Sequence, residues 1–476
     1  MRKGGRPNII FLMLDTVSAQ HLGVFGGPIR MSNLEKIAGS GTVYQNAIAP
    51  GTYTLTSHVS IFTGRRVSKI KSLTKNPVRN QNSSTDPLFL KNKYIGRNEP
   101  TLAARLSYLG YKTSMFSNNP FITASTGLAE GFSYTRNIFM ENKLKYHRTT
   151  LRIIGNDFMR ENLTSLACHV SSAIPQGSLD RLYLGMRGVL NRKVCNETGA
   201  YRMDQGAELT NRIVREYLSS SGSQGHFMFI NYMEAHEGYP TTAITEERVS
   251  QDRWMYMSGM LDPSGVEVLK QAYAKRLAYL DSRIGRLMET LKEKGVLDNA
   301  VVVLASDHGQ AFMEHGLLYH TLFPYQEISR VPLITARFES GRQTREPVRI
   351  EKPVSLSSLY GSIISLGYGK SDKINGEMLS GSGVFSDHTG MLDVWDIPLL
   401  RRLRKRSRHA ERIYKTKMKY NMPASAFYKG QYKMIHYGGR MGRELYDLDS
   451  DPMEKENIIG SRRDVALSML RDVSVA

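Results

Sequence analysis

Two strongly apolar stretches, residues 9–14 and 301–305, each end abruptly at ionisable side chains. Both are rich in Ile, Val and Leu without the polar alternation of a half-exposed strand, which is typical of strands buried on both faces of a parallel sheet. Asp15 follows the first stretch, and Asp307 and His308 follow the second. Because open α/β sheets bind ligands at the carboxyl ends of their strands, we expect these three side chains to meet at one edge.

Between and around these two strands, helical and strand patterns alternate, which predicts an α/β fold with a doubly wound, mostly parallel sheet. The predicted helices are 33–38, 100–109, 203–219 and 264–294, and the further predicted strands are 43–47, 112–116 and 227–232.

The same pattern divides the chain into two predicted domains. A large α/β domain covers 1–374, with a basic surface excursion at 66–98 and a mainly helical insertion at about 131–200. The pattern changes beyond about 370, which predicts a small C-terminal α+β subdomain over 375–476 with a strand at 431–437.

The charge of the chain favours anionic partners. The 476 residues carry a formal net charge of +20, which raises the local concentration of polyanions and of anionic substrates. A basic run at 401–420 is interpreted either as a solvated helix face or as a peripheral contact with an anionic membrane or a polyanionic glycan. Nucleic acid is not an expected partner, because no recognised binding module accompanies the charge.

The first residues imitate a signal peptide, since basic positions precede the apolar stretch 9–14. That stretch is shorter than a usual signal core and ends in Asp15. No apolar run approaches the roughly 20 residues that cross a bilayer, and the two cysteines, Cys168 and Cys195, cannot form a disulfide framework. With no signal peptide or transmembrane helix predicted, we expect a cytoplasmic protein, with membrane-surface association as the alternative.

Two carboxylates in one cleft repel each other unless a cation lies between them, so Asp15 and Asp307 together predict a bound divalent metal. A third element, Thr54 to His58, follows a strand and begins a helix. A hydroxyl at a helix N-terminus suits a nucleophile that attacks an anionic centre, although Thr54 or Ser57 could simply cap the helix.

Taken together and in order, several motifs resemble the sulfatase family of the alkaline-phosphatase-like superfamily. The C-terminal part is also similar, at Tyr432-Lys433 and Leu445 to Leu448. The other matching segments are Pro7 to Asp15, Thr54 to His58 with Phe62 to Gly64, Asn231 to His236, Ser306 to Gly309 with Glu314 to Gly316, and Arg330 to Ile334.

The resemblance implies a metal-dependent ester hydrolase with a covalent intermediate. In this family Asp15, Asp307 and His308 match metal ligands, and Thr54 lies at the position of the nucleophile, which also contacts the ion. His236 matches the histidine that contacts the transferred group, and His320 stands where many members have an anion-binding lysine. The resemblance also makes Asn118 and His58 candidate substrate-binding residues, with Asn119 beside Asn118. Carboxylate and imidazole ligands fit Zn, Mn or Mg, and the family's sulfatases favour Ca.

Two departures from the family affect the predicted reaction. The best-known sulfatases need Cys or Ser at the nucleophile position, and Thr54 is not expected to undergo their oxidation to formylglycine. Members with Thr there include phosphodiesterases and phosphoethanolamine-type transferases. Thr16 replaces a frequent second Asp, which leaves the number of ions open.

Three hypotheses follow for the function. The first is hydrolysis of a sulfate or phosphate ester of a small molecule, a glycan or a lipid headgroup. The second is transfer of a phosphoryl-containing group to a glycan or lipid. The third, from another class, is non-catalytic binding of a polyanion or a membrane surface on the same fold.

Overall fold

The structure, a computed structural model, describes most of the chain in separate ranges. These are residues 5–70, 94–95, 100–139, 204–237, 263–320, 323–344, 346–371, 383–389, 423–438 and 442–475, with a few single positions between 374 and 415.

A nine-stranded sheet forms the centre of the large domain. The two predicted metal-bearing strands, β1 (Asn8–Leu14) and β7 (Asn299–Ala305), lie side by side and parallel within it. The sheet order is β13-β2-β11-β7-β1-β6-β4-β5, and β12 pairs with β11. The other strands of this sheet are β2 (Thr42–Tyr44), β4 (Lys112–Ser117), β5 (Tyr134–Asn137), β6 (His226–Tyr232), β11 (Leu333–Glu339), β12 (Arg342–Gln343) and β13 (Val348–Ile350).

The five neighbouring strands β7, β1, β6, β4 and β5 are all parallel, whereas β11 runs antiparallel to both β7 and β2. Helices lie on both faces of the sheet, because successive residues of a strand point to opposite sides. They are α1 (Ser32–Ala38), α2 (Thr54–Thr63), α3 (Leu102–Tyr108), α4 (Ala207–Ser221), α5 (Pro263–Glu293) and α7 (Leu359–Gly367). Two further helices, α6 (Gln326–Ser329) and α8 (Arg463–Val475), pack with the C-terminal part of the chain.

Strand β1 shows how one segment serves two cores. Ile10, Leu12 and Leu14 pack with α1, α4 and α5 on one face. Ile9, Phe11 and Met13 pack with α2, α3 and α7 on the other. Every residue of β1 is buried, so the predicted α/β fold with a doubly wound, mostly parallel sheet is confirmed.

Two local predictions were incomplete. The strand predicted over 43–47 divides into β2 and β3 (Ala47–Ile48), and β3 joins a separate sheet with β10 (Arg330–Val331) and β14 (Val354–Ser355). The insertion predicted as mainly helical begins with an edge strand, β5, whose pairing with β4 no local pattern reveals. Residues 140–203 of that insertion lie outside the described residues.

The C-terminal part of the chain forms a four-stranded antiparallel sheet of β15 (Val384–His388), β16 (Ala424–Lys429), β17 (Tyr432–Tyr437) and β18 (Arg443–Asp447). Ala426 and Ile435 on one face pack against residues of the large domain such as Ile48 and Phe323. The other face is covered by α8, through Met469. Most of the basic run 401–420 lies outside the described residues, so its role stays a prediction.

Strand β15 also contacts the loop that leads into α2. The Asp387 backbone N–H donates to the Pro50 carbonyl, and the Asp387 carboxylate pairs with Arg66 just beyond α2. The C-terminal sheet therefore supports both ends of the helix that carries Thr54. Within the described part of the chain, no helix is both long enough and apolar enough to span a bilayer.

Candidate active site and metal centre

The candidate site lies at the carboxyl ends of four neighbouring strands, β7, β1, β6 and β4. Met13 of β1 is paired with Ala305 of β7, so Asp15 and Asp307, each two residues further on, leave the sheet at the same level. His308 follows directly, and Gly309 permits the close packing beyond it, since a Cβ there would lie 2.0 Å from the Glu327 carbonyl oxygen. The predicted meeting of Asp15, Asp307 and His308 is thus present in the structure.

The three side chains are fully buried and offer ligand atoms that all lie within 4.8 Å of one another. His308 Nε2 is 3.5 Å from Asp307 Oδ2 and 4.0 Å from Asp15 Oδ1. Neither of these two carboxylate oxygens accepts a hydrogen bond from the described residues. Buried carboxylate oxygens without a donor are costly, so this donor set fits a divalent cation that binds carboxylate and imidazole.

Burial and mutual repulsion act on both carboxyl groups. Burial, with the Asp307 charge as the next cause, raises the pKa of Asp15 to about 6, and burial also raises the pKa of Asp307. Burial lowers the pKa of His308 to about 3, with the neighbouring His320 adding to the effect. At neutral pH the neutral imidazole is therefore available as a ligand, and a cation would relieve the repulsion between the carboxylates.

Thr54 is the first residue of α2, and its hydroxyl points to the metal ligands. Thr54 Oγ1 lies 3.4 Å from His308 Nε2. Tyr53 at the N-cap provides no side-chain hydrogen bond to the first turn. The Thr54 hydroxyl and the N-terminal N–H groups of α2 therefore face the same region. An anionic ester bound there would be stabilised by the helix dipole.

The two asparagines after β4 have different partners. The Asn118 amide donates to Thr210 Oγ1 and to the Asn231 carbonyl, on the side of α4, and the substrate-binding role of Asn118 stays a prediction. Asn119 Nδ2 instead donates to Asp15 Oδ2 at 2.6 Å and lies 3.4 Å from Thr54 Oγ1. The strand end was predictable, but which of two adjacent amides points inward depends on the turn that follows.

His58, the other predicted substrate-binding residue, lies behind the site. Its Nδ1 donates to the Thr54 carbonyl at 2.8 Å and lies 3.5 Å from Asp307 Oδ2, while its ring packs edge-on against Phe62 and Phe229. The side chain is fully buried. These contacts orient Asp307 and α2, and the substrate-binding role of His58 stays a prediction.

His236 and His320 lie beside the candidate metal ligand His308. The His320 ring stacks on the His308 ring with centroids 4.5 Å apart. The His236 ring packs edge-on against the His320 ring, with centroids 5.1 Å apart. Glu237 Oε2 lies 3.1 Å from His320 Nδ1 and 3.3 Å from His236 Nδ1. Burial opposes the charge on His320, but Glu237 outweighs it and raises the pKa of this histidine. Sequence reasoning missed Glu237, whose only signal was its position beside His236.

Thr16 does not take the place of the acidic residue frequent in the family. Its hydroxyl donates to the Asp15 carbonyl, while its backbone N–H lies 3.4 Å from Asp307 Oδ1. Thr16 adopts a positive φ of 58°, and the Tyr273 hydroxyl donates to its carbonyl. The candidate ligands among the described residues at this centre are therefore two carboxylates and one imidazole, with the Thr54 hydroxyl beside them.

Comparison with known families identifies the class of protein. The model of the sulfatase family matches residues 7–369, which include every residue of this site. The chain therefore belongs to the sulfatase family, and the predicted enzyme class, a sulfuric ester hydrolase of this family, is confirmed. The family generally uses a divalent metal ion, which agrees with the ligand set described above.

Similar curated proteins are also sulfatases. The N-acetylglucosamine-6-O-sulfatase of Bacteroides thetaiotaomicron is 22% identical, over 96% of this chain and 83% of its own length. The human iduronate 2-sulfatase is 23% identical, over 65% of this chain and 56% of its own length.

Two solved structures have the same fold. The phosphonate monoester hydrolase of Agrobacterium radiobacter superposes with a TM-score of 0.62 at 15% identity, covering 99% of this chain and 95% of that one. A protein solved in complex with its substrate D-glucosamine-2-N,6-O-disulfate superposes with a TM-score of 0.60 at 16% identity, covering 99% and 97%.

Proposed function

We propose that this protein hydrolyses a sulfate ester of a glycan, using Thr54 as the nucleophile and a divalent cation held by Asp15, Asp307 and His308. The observation that carries the proposal is the convergence of the other three groups on His308 Nε2, with Thr54 Oγ1 at 3.4 Å, Asp307 Oδ2 at 3.5 Å and Asp15 Oδ1 at 4.0 Å. Sulfated sugars are the substrates named for the relatives, and the net charge of +20 favours a polyanionic glycan.

The chain's own residues prepare the attack. Asn119 holds the Thr54 oxygen and the Asp15 carboxylate through one amide nitrogen, which fixes the nucleophile relative to the metal ligands. The N-terminal N–H groups of α2 would receive the anionic oxygens of the ester. When bound, the cation would lower the pKa of the Thr54 hydroxyl and neutralise charge on the ester oxygens.

His236 and His320 would act on the leaving-group side of the ester. Attack by Thr54 Oγ1 on sulfur forms a Thr54 sulfate ester, breaks the S–O bond to the leaving alcohol and releases the hydroxyl proton of Thr54 to water. His320, whose pKa is raised by Glu237, is the group suited to protonate that alcohol, and His236 would steady the ester oxygens. Water would then hydrolyse the Thr54 ester and release sulfate.

One specific observation favours a second substrate class, phosphate esters. Thr54 cannot supply the aldehyde hydrate that formylglycine gives the best-known sulfatases, so its plain hydroxyl would perform in-line substitution, which suits phosphorus as well as sulfur. Neither the transferase alternative nor the non-catalytic polyanion-binding alternative gains support from the comparisons.

The test is a substrate panel with the purified protein. Aryl sulfate, N-acetylglucosamine 6-sulfate, an aryl phosphate monoester and an aryl phosphodiester would each be incubated with Ca²⁺, Mg²⁺, Mn²⁺ or Zn²⁺ after metal removal. We expect turnover of the sulfate esters that depends on the added ion. Phosphate esters turned over faster than every sulfate ester would instead select the second class.

The nucleophile is tested by two substitutions of the same residue. Thr54→Ala should abolish turnover, whereas Thr54→Ser, which keeps a hydroxyl, should retain a measurable part of it. Mass spectrometry of the quenched wild-type protein should find the added group on Thr54. Undiminished turnover in Thr54→Ala would reject this assignment.

A further inference from the structure

The face of the C-terminal sheet that turns away from the large domain has two rows of different character. Strand register forms one apolar row across the four strands, made of Phe385, Phe427, Met434 and Leu445. A polar row lies two residues further along each strand and is made of Asp387, Ser425, His436 and Arg443. Because alternate residues of a strand point to the same side, both rows belong to this one face.

A cavity of about 290 Å³ lies where the two rows meet. Leu470 and Val473 of α8 line one side of it, Met434 lines its floor, and His436 and Arg443 line its polar end. Small-molecule sites have volumes of about 300–1,000 Å³ and combine apolar walls with a few polar groups. This cavity is close to the lower end of that range, which suits a short chain or a single ring.

Arg66 reaches this face from the segment after α2 and neutralises the carboxylate of the polar row. Its guanidinium lies over the Phe385 ring, 3.5 Å from the centroid, and donates to the two Asp387 oxygens at 3.1 and 3.3 Å. The backbone N–H of Ser68 also donates to Asp387, at 3.0 Å. The Asp387 charge is therefore compensated and does not repel an anion in the cavity.

Arg443 supplies a positive charge that a ligand can use. Its Nε donates to His436 Nδ1 at 3.1 Å, and partial burial, with the Arg443 charge as the next cause, lowers the pKa of His436. The imidazole is therefore neutral at pH 7 and can accept this bond. Among the described residues Arg443 makes no ion pair, so its two Nη groups can donate together to the oxygens of one anion.

We propose that this cavity binds a small amphiphilic carboxylate, with a short alkyl chain or a single ring against Met434 and Leu470 and with the carboxylate on Arg443. A carboxylate has one charge and two oxygens in a plane, which matches one guanidinium without an acidic partner. The apolar row stabilises the rest of the molecule by removing its surface from water. A cationic amphiphile is disfavoured, because it would meet the charges of Arg66 and Arg443. This site does not depend on the proposed function.

The experiment compares three octyl probes by isothermal titration calorimetry on the full chain: octanoate, octanol and octylammonium. We expect saturable binding of octanoate, about 10-fold or more tighter than that of octanol, and no binding of octylammonium. Octanoate is not an ester, so the proposed reaction cannot consume it. Asp307→Asn, which removes a candidate metal ligand of the active site, should bind octanoate like the wild type, so the site can be present even if the proposed function fails.

Two substitutions test the two ends of the cavity separately. Arg443→Met removes the charge and should weaken octanoate binding about 10-fold or more, while octanol binding stays unchanged. Val473→Trp fills the cavity from α8 and should weaken the binding of both probes. Arg349→Met, which removes an exposed arginine of β13, is the matched control and should bind octanoate like the wild type. Far-UV circular dichroism would verify that each variant is folded.

Hydrogen exchange of the wild-type protein locates the site without any substitution. Octanoate should slow amide exchange in peptides from β16, β17 and α8. Equal affinity for octanoate and octanol, or an octanoate affinity that is unchanged in both Arg443→Met and Val473→Trp, would overturn the proposal. Protection that is confined to other segments would overturn it as well.

Discussion

The amide of Asn119 connects the proposed nucleophile with a proposed metal ligand. Its Oδ1 accepts from the Phe121 N–H at 2.8 Å, which orients Nδ2 toward Asp15 and Thr54. The neighbouring Asn118 has the same chemistry and the opposite direction. A single residue of offset after β4 therefore decides which amide belongs to the active site.

We expect Asn119→Ala to lower kcat roughly 100-fold, because Thr54 Oγ1 would lose the group that fixes its position. The matched control is Asn118→Ala. It removes hydrogen bonds to Thr210 and to the Asn231 carbonyl and should cost about 1–3 kcal/mol of unfolding free energy while kcat is kept. Steady-state kinetics and urea unfolding of both variants check this. A large loss of kcat in Asn118→Ala alone would contradict the assignment.

The pH dependence of the unfolding free energy tests whether burial lowers the pKa of His21. Its ring packs edge-on against Tyr273 and Phe312, and burial, with the Lys270 charge as the next cause, lowers its pKa to about 4. Between pH 6.5 and about 4 the unfolded chain binds a proton here that the folded protein does not. The folded protein should therefore lose stability as the pH falls through this window, by up to about 3 kcal/mol from this residue.

The variant His21→Phe keeps the aromatic contacts and removes the titrating group. The difference in unfolding free energy between variant and wild type should shift in favour of the variant as the pH is lowered from 7 to 4. Urea unfolding at several pH values measures it. A difference that stays constant over this range would show that His21 titrates normally.

The central strands of the large domain are predictable from their own sequence patterns, whereas the pairing of its short strands is not. Strand β1 is apolar from Ile9 to Leu14 and is followed by Asp15, and β7 has the same pattern, so their parallel pairing was predictable. The division of 42–48 into β2 and β3 depends on partners far along the chain, whereas the edge strand β5 pairs with β4, the preceding strand of the sheet. Short strands carry too little periodicity to reveal such partners.

A buried ion pair connects the C-terminal sheet to the segment around α6. Lys433 Nζ on β17 lies 2.6 Å from Glu454 Oε1, and both side chains are fully buried. The other Glu454 oxygen accepts from the backbone N–H of Gln326 at the start of α6. The pair therefore lies where this sheet meets the large domain.

We expect Lys433→Met to cost about 3–5 kcal/mol of unfolding free energy, because it leaves the Glu454 charge buried without a partner. Adding Glu454→Gln should restore part of that loss. Lys429→Met, which breaks the exposed pair with Asp472, is the matched control and should cost about 1 kcal/mol or less. Chemical denaturation of the four proteins measures these values. Equal losses in the two single variants would contradict the prediction.

For the molecule as a whole, the proposed metal centre joins β1, β7 and α2. Without an ion, burial and, as the next cause, repulsion by the Asp307 carboxylate hold the pKa of Asp15 above its value in the unfolded chain. Because the folded protein has the higher pKa at this carboxyl group, its free energy of unfolding falls as the pH rises from 3.8 to about 6. The metal-free protein therefore carries this cost in full at pH 7.

The presence of metal should decide whether Asp307→Asn or the wild-type protein is the more stable of the two. In a chelator at pH 7, the variant should be more stable than the wild type by about 1–3 kcal/mol, because one of the repelling charges is gone. With an ion at 100 times its dissociation constant, the wild type should gain about 2.7 kcal/mol from this site, which the variant lacks. Thermal unfolding in both conditions measures the effect, and a wild type that is more stable in chelator would argue against a metal centre.

The order of residues along the chain determined much of this protein by itself. Continuous apolar runs fixed which strands are central, and the ionisable residues at their ends fixed where Asp15, Asp307 and His308 would meet, because parallel strands end at one edge. Only the tertiary structure decided that Asn119 rather than Asn118 faces the site, that His58 lies behind it, and that Glu237 joins His236 to His320. Those facts depend on side-chain directions in loops, which sequence spacing does not specify.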